Sequence, residues 1–126
     1  LLKLDERVQK MIIDDMISSG GSMLDTSKQL KEMGAGRVFI CCTFGLFTDG
    51  LDAFDKAYAN GDFDRIITTN LTYQIPGLKD REYYIEADMS KFIASIIDFM
   101  NHDVSLEGVR TPTSKINEIL EAYQNK

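Results

Sequence analysis

The stretch Met11 to Ser22, MIIDDMISSGGS, constrains the fold more than any other part of the chain. A short apolar run leads into two adjacent acids, then a Ser/Gly turn, then a helix-forming segment. Strand, acid pair, small-residue loop and helix start, in that order, predict a binding loop at the carboxyl end of a strand in an open α/β sheet. Gly20 and Gly21 let the backbone approach a ligand closely, and Ser18, Ser19 and Ser22 add hydroxyl donors. The first N–H groups of the following helix have no intrahelical acceptors, so an anion such as phosphate is the expected occupant. Asp14 and Asp15 would repel a bare phosphate. The predicted ligand therefore also carries hydroxyls or a divalent cation, as a sugar phosphate does. The same residues also suit an ordinary strand–helix turn, where glycine and serine are common. Gly20→Val is expected to abolish ligand binding while sparing the fold.

At 126 residues the chain suits one domain with one modest core. A net charge of −6 argues against nonspecific nucleic-acid or membrane-surface binding, because both need a basic face. Cys41 and Cys42 are adjacent in an apolar run, and neighbours on a strand point to opposite faces. They read as small buried hydrophobes in a reducing compartment rather than as a disulfide, and the expected location is the cytoplasm. No apolar run approaches transmembrane length, and LLKLDERVQK at the start lacks a signal-peptide pattern.

Periodicity predicts strands at Val8–Ile13, Arg37–Thr43, Arg65–Thr69 and Glu82–Ile85, the first an interior strand because Met11, Ile12 and Ile13 run together. Between them, Ser22–Met33 and Leu51–Ala59 read as helices. The first has Met23, Thr26, Leu30 and Met33 near one face, with Ser22 and Asp25 at capping-box spacing. After the fourth strand, Met89, Phe92, Ile93, Ile96, Ile97 and Met100 repeat at helical spacing. A last helix is expected from an N-cap at Thr111 with Pro112 in its first turn, and a stripe of Ile116, Ile119, Leu120 and Tyr123. Alternating strands and helices argue for a three-layer α/β fold with a mostly parallel, doubly wound sheet.

The loop DDMISSGGS resembles the ribose-5-phosphate loop of ribose-phosphate pyrophosphokinases, usually DDMIDTGGT, within the type I phosphoribosyltransferase fold. Three further segments follow in the family's order. TFGLFTDG at Thr43–Gly50 is similar to THGLFSG. IITTNLTYQIP at Ile66–Pro76 is similar to a VVTTNTIP-like strand and turn, with Tyr73 and Gln74 as an insertion. MNHDVSLEGV, after an amphipathic helix, is similar to IHNEESVSSLF. The matches cover roughly residues 8–109.

The resemblance implies an amino-terminally incomplete domain of that fold, since a complete one has two further strands and a helix before the position of Leu4. Residues 1–109 are then the carboxyl-terminal part of a phosphoribosyltransferase-like domain and residues 110–126 a terminal helical extension. It implies a parent enzyme that transfers diphosphate from ATP to ribose 5-phosphate, giving phosphoribosyl diphosphate and AMP, with Mg²⁺ accompanying the ATP. The partners implied are ribose 5-phosphate, ATP and further copies of the same chain, as a dimer or hexamer; no nucleic acid or membrane is implied.

By the same resemblance Asp14 and Asp15 hold the ribose hydroxyls, directly or through substrate-bound Mg²⁺. Ser18, Ser19, Gly20, Gly21 and Ser22 cradle the phosphate, and Thr43 and Phe44 correspond to a weaker nucleotide contact. No catalytic residue is assigned within the chain, and the 126 residues alone are expected to be inactive. Departures from the pattern are Ser18 for Asp, Ser19 for Thr and Phe44 for His. They keep two alternatives open: a phosphoribosyltransferase that attaches a base, or a non-catalytic regulatory or assembly homologue.

Overall fold

The computed structural model describes residues 9–102 and 113–125. Four strands, β1 (Gln9–Ile17), β2 (Arg37–Gly45), β3 (Arg65–Thr69) and β4 (Tyr84–Ala87), form one sheet in that order. Every pairing is parallel, with Ile12 beside Ile40, Ile40 beside Ile66, and Ile66 beside Tyr84. Helices α1 (Gly21–Glu32) and α2 (Asp52–Asn60) make the first two crossovers, and an irregular segment makes the third. The chain divides into two units, Leu1–Met89 and Ser90–Lys126. The second contains α3 (Ser90–Asn101) and α4 (Thr113–Gln124). The expected N-cap Thr111, with Pro112, lies outside the described residues. Among the described residues no helix is long and apolar enough to cross a membrane.

The strand order explains where the core lies. Right-handed crossovers that always step the same way across a sheet place every connection on the same face. That face carries Val38, Ile40 and Ile66, all fully buried, with Ile12 partly buried beside them. Within the first unit the opposite face leaves Met11 at 58% and Ile13 at 75% exposure. In the described sheet β1 is an edge strand, not the interior strand expected, and its apolar run is divided between the covered face and the face that the first unit leaves open. Cys41 and Cys42 fall on opposite faces, as their adjacency requires, and both are free thiols. Burial pushes the Cys42 thiol up to about 11.

Two boundaries differ from the sequence reading for physical reasons. β1 runs four residues past Ile13, through both acids, because backbone pairing to β2 continues to Ile17 beside Gly45. An edge strand leaves acidic side chains in water, and Ile17, only 1% exposed, anchors its end in the core. Helix α1 is capped by Gly20 rather than by a Ser22–Asp25 box, and no side-chain cap hydrogen bond is made there. Ser27 takes the buried position expected of Thr26, its hydroxyl donating to the Leu24 carbonyl at 2.8 Å. Thr26 faces out and donates to the Ser22 carbonyl.

Polar locks close the lower and outer parts of this unit. The Asp64 carboxylate accepts from Lys31 Nζ and from the Val38 N–H, each at 2.8 Å, tying α1 and the start of β2 to the start of β3. Burial acts to raise the Asp64 pKa. The Lys31 ammonium, the Val38 N–H and the Arg37 charge outweigh it, and the carboxyl ends below its ordinary value. Arg81 grips Asp55 on α2 with Nε and Nη2, both at 2.9 Å, and the Tyr83 hydroxyl donates to the same carboxylate. That clamp holds the irregular crossover against the helix layer, over Leu78, which is fully buried.

Gly20 is the tightest point. Its φ is +83°, and a Cβ there would lie 2.1 Å from Cζ of Phe54, a fully buried ring. The expectation that Gly20→Val spares the fold is therefore overturned: the position is filled by the core, not by a ligand. We expect Gly20→Ala to lower stability by at least about 2 kcal/mol, from backbone strain plus overpacking. Gly21→Ala, where a Cβ meets nothing within 4 Å, should be near neutral in the same urea titration; equal midpoints would refute this. The depressed Asp64 pKa also predicts a pH signature. Its stabilisation is full above about pH 5 and is lost as pH falls through the lowered folded value. Asp64→Asn should flatten the loss of stability between about pH 5 and pH 3 relative to wild type, and parallel slopes would refute the linkage.

Candidate functional site

Residues 18–22 connect the end of β1 to α1, at the carboxyl end of the strands. The Gly20 carbonyl accepts the first helical bond, from the Leu24 N–H at 3.0 Å. The N–H groups of Gly21, Ser22 and Met23 therefore have no acceptor within the helix, and no side-chain cap replaces one. Ser18, Ser19, Gly21 and Ser22 are exposed around them. Three aligned N–H groups, neighbouring hydroxyls and the positive end of a helix dipole attract an anion without any cationic side chain.

The loop is held from below and from the side. Beneath it, Phe54 meets Phe47 edge-on, with ring centroids 5.0 Å apart at 75°. Phe47 reaches that position with a φ of +48°, a left-handed conformation uncommon outside glycine. Gly45 makes room for it, since a Cβ there would lie 2.7 Å from Phe47 and 2.9 Å from Thr68. Beside it, the Ile17 carbonyl accepts from the Leu46 N–H at 2.8 Å and the Ser18 carbonyl from the Thr48 N–H at 3.1 Å. The Ser18 and Thr48 hydroxyls lie 3.3 Å apart, and Thr48 donates onward to Asp49 at 3.3 Å. Thr48 is a neighbour of the loop that the sequence reading did not single out. Its only sequence signal is its place in TFGLFTDG.

Asp14 and Asp15 are both exposed, in the last part of β1. The Asp14 carboxylate accepts the Asp15 N–H at 2.8 Å. From Asp15 to Ser18 the strand advances roughly 10 Å, a span that a ligand with one polar end on each can bridge. Asp14 and Thr43 line a shallow hollow of about 250 Å³ at the strand ends, together with Ile13, Cys41, Ile67 and Thr69. Thr69 fixes that rim by donating to the Thr43 carbonyl at 2.6 Å. Phe44 is not in the hollow: it pairs in register with Met16 and is 40% exposed. The structure thus joins Asp14 to Thr43 and Ser18 to Thr48, and leaves Phe44 outside both groups.

Among the described residues no group of three or more His, Cys, Asp or Glu could hold a metal ion. Mg²⁺ keeps several waters and takes one or two carboxylates with substrate oxygens. A single carboxylate, Asp14 or Asp15, fits that shared role; as neighbours on β1 the two do not form a cage.

No family model matches the chain. Curated relatives do. It is 36% identical over 61 residues to a ribose-phosphate pyrophosphokinase of Pyrococcus furiosus, covering 48% of this chain and 20% of that protein. It is 37% identical over 60 residues to that of Methanopyrus kandleri, with the same coverage of each. A longer match, 26% over 99 residues, links 79% of the chain to 30% of the Clostridium perfringens protein of the same name. The chain thus spans about a fifth of the length of the first two relatives and 30% of the third. Among solved structures, phosphoribosylpyrophosphate synthetase from Mycobacterium smegmatis superposes with a TM-score of 0.64 at 25% identity, over 75% of this chain and 30% of that one. Shared segments, the loop between β1 and α1, and a common parallel α/β architecture converge: over the matched residues the chain is a partial, C-terminal-like homologue of ribose-phosphate pyrophosphokinases.

Proposed function

We propose that this chain supplies the ribose-5-phosphate loop of a ribose-phosphate pyrophosphokinase. The observation that carries the reading is the set of uncapped N–H groups on Gly21, Ser22 and Met23, beside exposed serines and a few residues from an exposed acid pair. In this reading the 5-phosphate accepts from those N–H groups and from the Ser18, Ser19 and Ser22 hydroxyls. The sugar extends back along the end of β1, where Asp14 and Asp15 accept from its hydroxyls, directly or through a shared Mg²⁺. Holding both ends orients the anomeric hydroxyl, and orientation is the main contribution a protein makes to phosphoryl transfer. The reaction moves the diphosphoryl group of ATP to that hydroxyl and leaves AMP. Mg²⁺ bound with ATP would neutralise the charge on the transferring group. The segment from Met11 to Ser27 contains no Lys or Arg, so cations for the triphosphate must come from elsewhere in a working assembly. A homo-oligomer of the intact protein is part of the same proposal.

A second reading, a non-catalytic homologue that keeps the phosphate loop, is favoured by two specific positions. Ser18, where the family carries Asp, has its hydroxyl 3.3 Å from that of Thr48. Phe44, where the family carries His, presents an exposed apolar ring. Turnover of ATP and ribose 5-phosphate by the intact protein would eliminate this reading, and binding without turnover would favour it.

Calorimetry of ribose 5-phosphate against folded variants tests the loop. Gly21→Val places a branched side chain over the N–H cradle at a position the core does not fill, and should weaken binding at least tenfold, about 1.4 kcal/mol. Ser22→Ala removes one hydroxyl and should cost about 1 kcal/mol. Unchanged affinity in both, with the fold verified by circular dichroism, would reduce the loop to a structural turn.

A further inference from the structure

The opposite end of the sheet carries a different arrangement. Arg37 opens β2 and Arg65 opens β3. Phe39 pairs in register with Arg65, and Arg37 lies two residues before Phe39. Side chains two apart on a strand share a face, so all three stand together on the face away from α1 and α2. They line, with Asp64, a hollow of about 230 Å³.

The charges in this hollow do not cancel. The Asp64 carboxylate is already committed, to Lys31 Nζ and the Val38 N–H at 2.8 Å each. Lys31 completes that lock by donating to the Gly36 carbonyl at 2.9 Å. Among the described residues neither Arg37 nor Arg65 has a carboxylate within ion-pair distance. Arg65 donates Nη1 to the Asp64 carbonyl at 2.8 Å, which orients its guanidinium and leaves most of its five N–H donors unused. Two guanidinium groups lining one hollow repel one another unless an anion lies between them. In a chain of net charge −6 this pair is not part of a generally basic surface.

We propose that Arg37, Arg65 and Phe39 form a second anion site, at the amino ends of the strands, that takes a dianionic phosphate group. The planar guanidinium fork matches two oxygens of a tetrahedral anion, and two forks on adjacent strands can share one such group. Phe39, half-buried, forms an apolar wall against which an organic substituent of a phosphate ester can lie. Asp64 stands in the same hollow, but its charge is balanced by Lys31, so it sets the edge of the site rather than blocking it. The site is independent of the loop at residues 18–22, which lies at the carboxyl end of β1 and uses backbone N–H groups instead of cations.

The test is a titration of the full chain with inorganic phosphate and with phenyl phosphate, read by amide NMR. Saturable shifts are expected at residues 37–39 and 64–65, in wild type and equally in Gly21→Val, which disables only the loop. Arg37→Gln and Arg65→Gln should each weaken those shifts about tenfold or more, the scale of a charged hydrogen bond. Both should leave shifts at residues 18–23 unchanged. Phenyl phosphate should bind the arginine site more tightly than inorganic phosphate, and Phe39→Leu should reduce that advantage. Absence of saturable shifts at 37–39 and 64–65, or shifts indifferent to both arginine substitutions, would overturn the site. Equal affinity for the two probes would overturn the role given to Phe39. Loss of ribose 5-phosphate binding in Gly21→Val bears on the loop alone, so the two assignments stand or fall separately.

Discussion

The contact between Gly20 and Phe54 is the constraint on which the candidate site depends. A fully buried ring from α2 rises to where any side chain at position 20 would have to be. The backbone there must adopt a left-handed turn, and that turn sends the chain from β1 into α1. The same ring meets Phe47, whose own positive φ is made possible by the space at Gly45. Helix α2 thus shapes a loop to which it is not adjacent in sequence. A rigid apolar support under a polar loop keeps the uncapped N–H groups of α1 in one arrangement before a ligand arrives. Preorganisation of that kind lowers the ordering cost of binding.

The remaining polar interactions secure the layers rather than the loop. Asp64 joins α1, β2 and β3 at the amino end of the sheet, and Asp55 joins α2 to the irregular crossover through Arg81 and Tyr83. Both carboxyls are held below their ordinary pKa, Asp55 first of all by the Arg81 hydrogen bonds. Tyr83 is pushed up, by burial and then by the Asp55 carboxylate. Near-complete burial of Thr68 is met by the Tyr84 hydroxyl at 2.9 Å, which also accepts from Gln74. Asp64, Asp55 and Thr68 thereby each fix the relation between two segments of the unit, and the crossover without a helix is held by Arg81, Tyr83 and Gln74.

Periodicity and turn residues made much of this fold legible. The alternation of β2, α2 and β3 was readable because apolar runs alternate with helical stripes and end at signals such as Asn60-Gly61, where Gly61 has φ +79°. The uncapped loop between β1 and α1 was readable for the same reason, since free N–H groups at a helix start follow from its position after a strand. Properties set by distant partners were not readable. Gly20 looks like a ligand-facing glycine until Phe54 is placed against it, and Thr48 looks like an ordinary loop residue until it is seen beside Ser18, 30 residues away in sequence. The apolar run in β1 suggested an interior strand, yet Met11 and Ile13 are on the face that the first unit leaves open. A run of three apolar residues cannot distinguish two covered faces from one, because the number of neighbouring strands is a property of the sheet and not of the strand.

The two proposed anion sites, at opposite ends of the sheet, would work in different ways, and the difference follows from where the acids lie. At the carboxyl end, donors are backbone dipoles and the nearby charges are negative: Asp14, Asp15 and, through Thr48, Asp49. A bare phosphate there meets attraction from three N–H groups and repulsion from neighbouring carboxylates. A ligand whose hydroxyls occupy those carboxylates turns the repulsive element into a second point of attachment. Under the proposed function, selectivity for a sugar phosphate over free phosphate is built from unfavourable as well as favourable contacts. At the amino end Asp64 is paired with Lys31, and among the described residues neither Arg37 nor Arg65 has a carboxylate within ion-pair distance. That arrangement asks only for charge and oxygen geometry, so it discriminates less by what the rest of the ligand carries. If both proposed sites hold, a fold that keeps strong cations away from the loop at residues 18–22 and places Arg37 and Arg65 at the far end of the strands separates recognition by shape from recognition by charge.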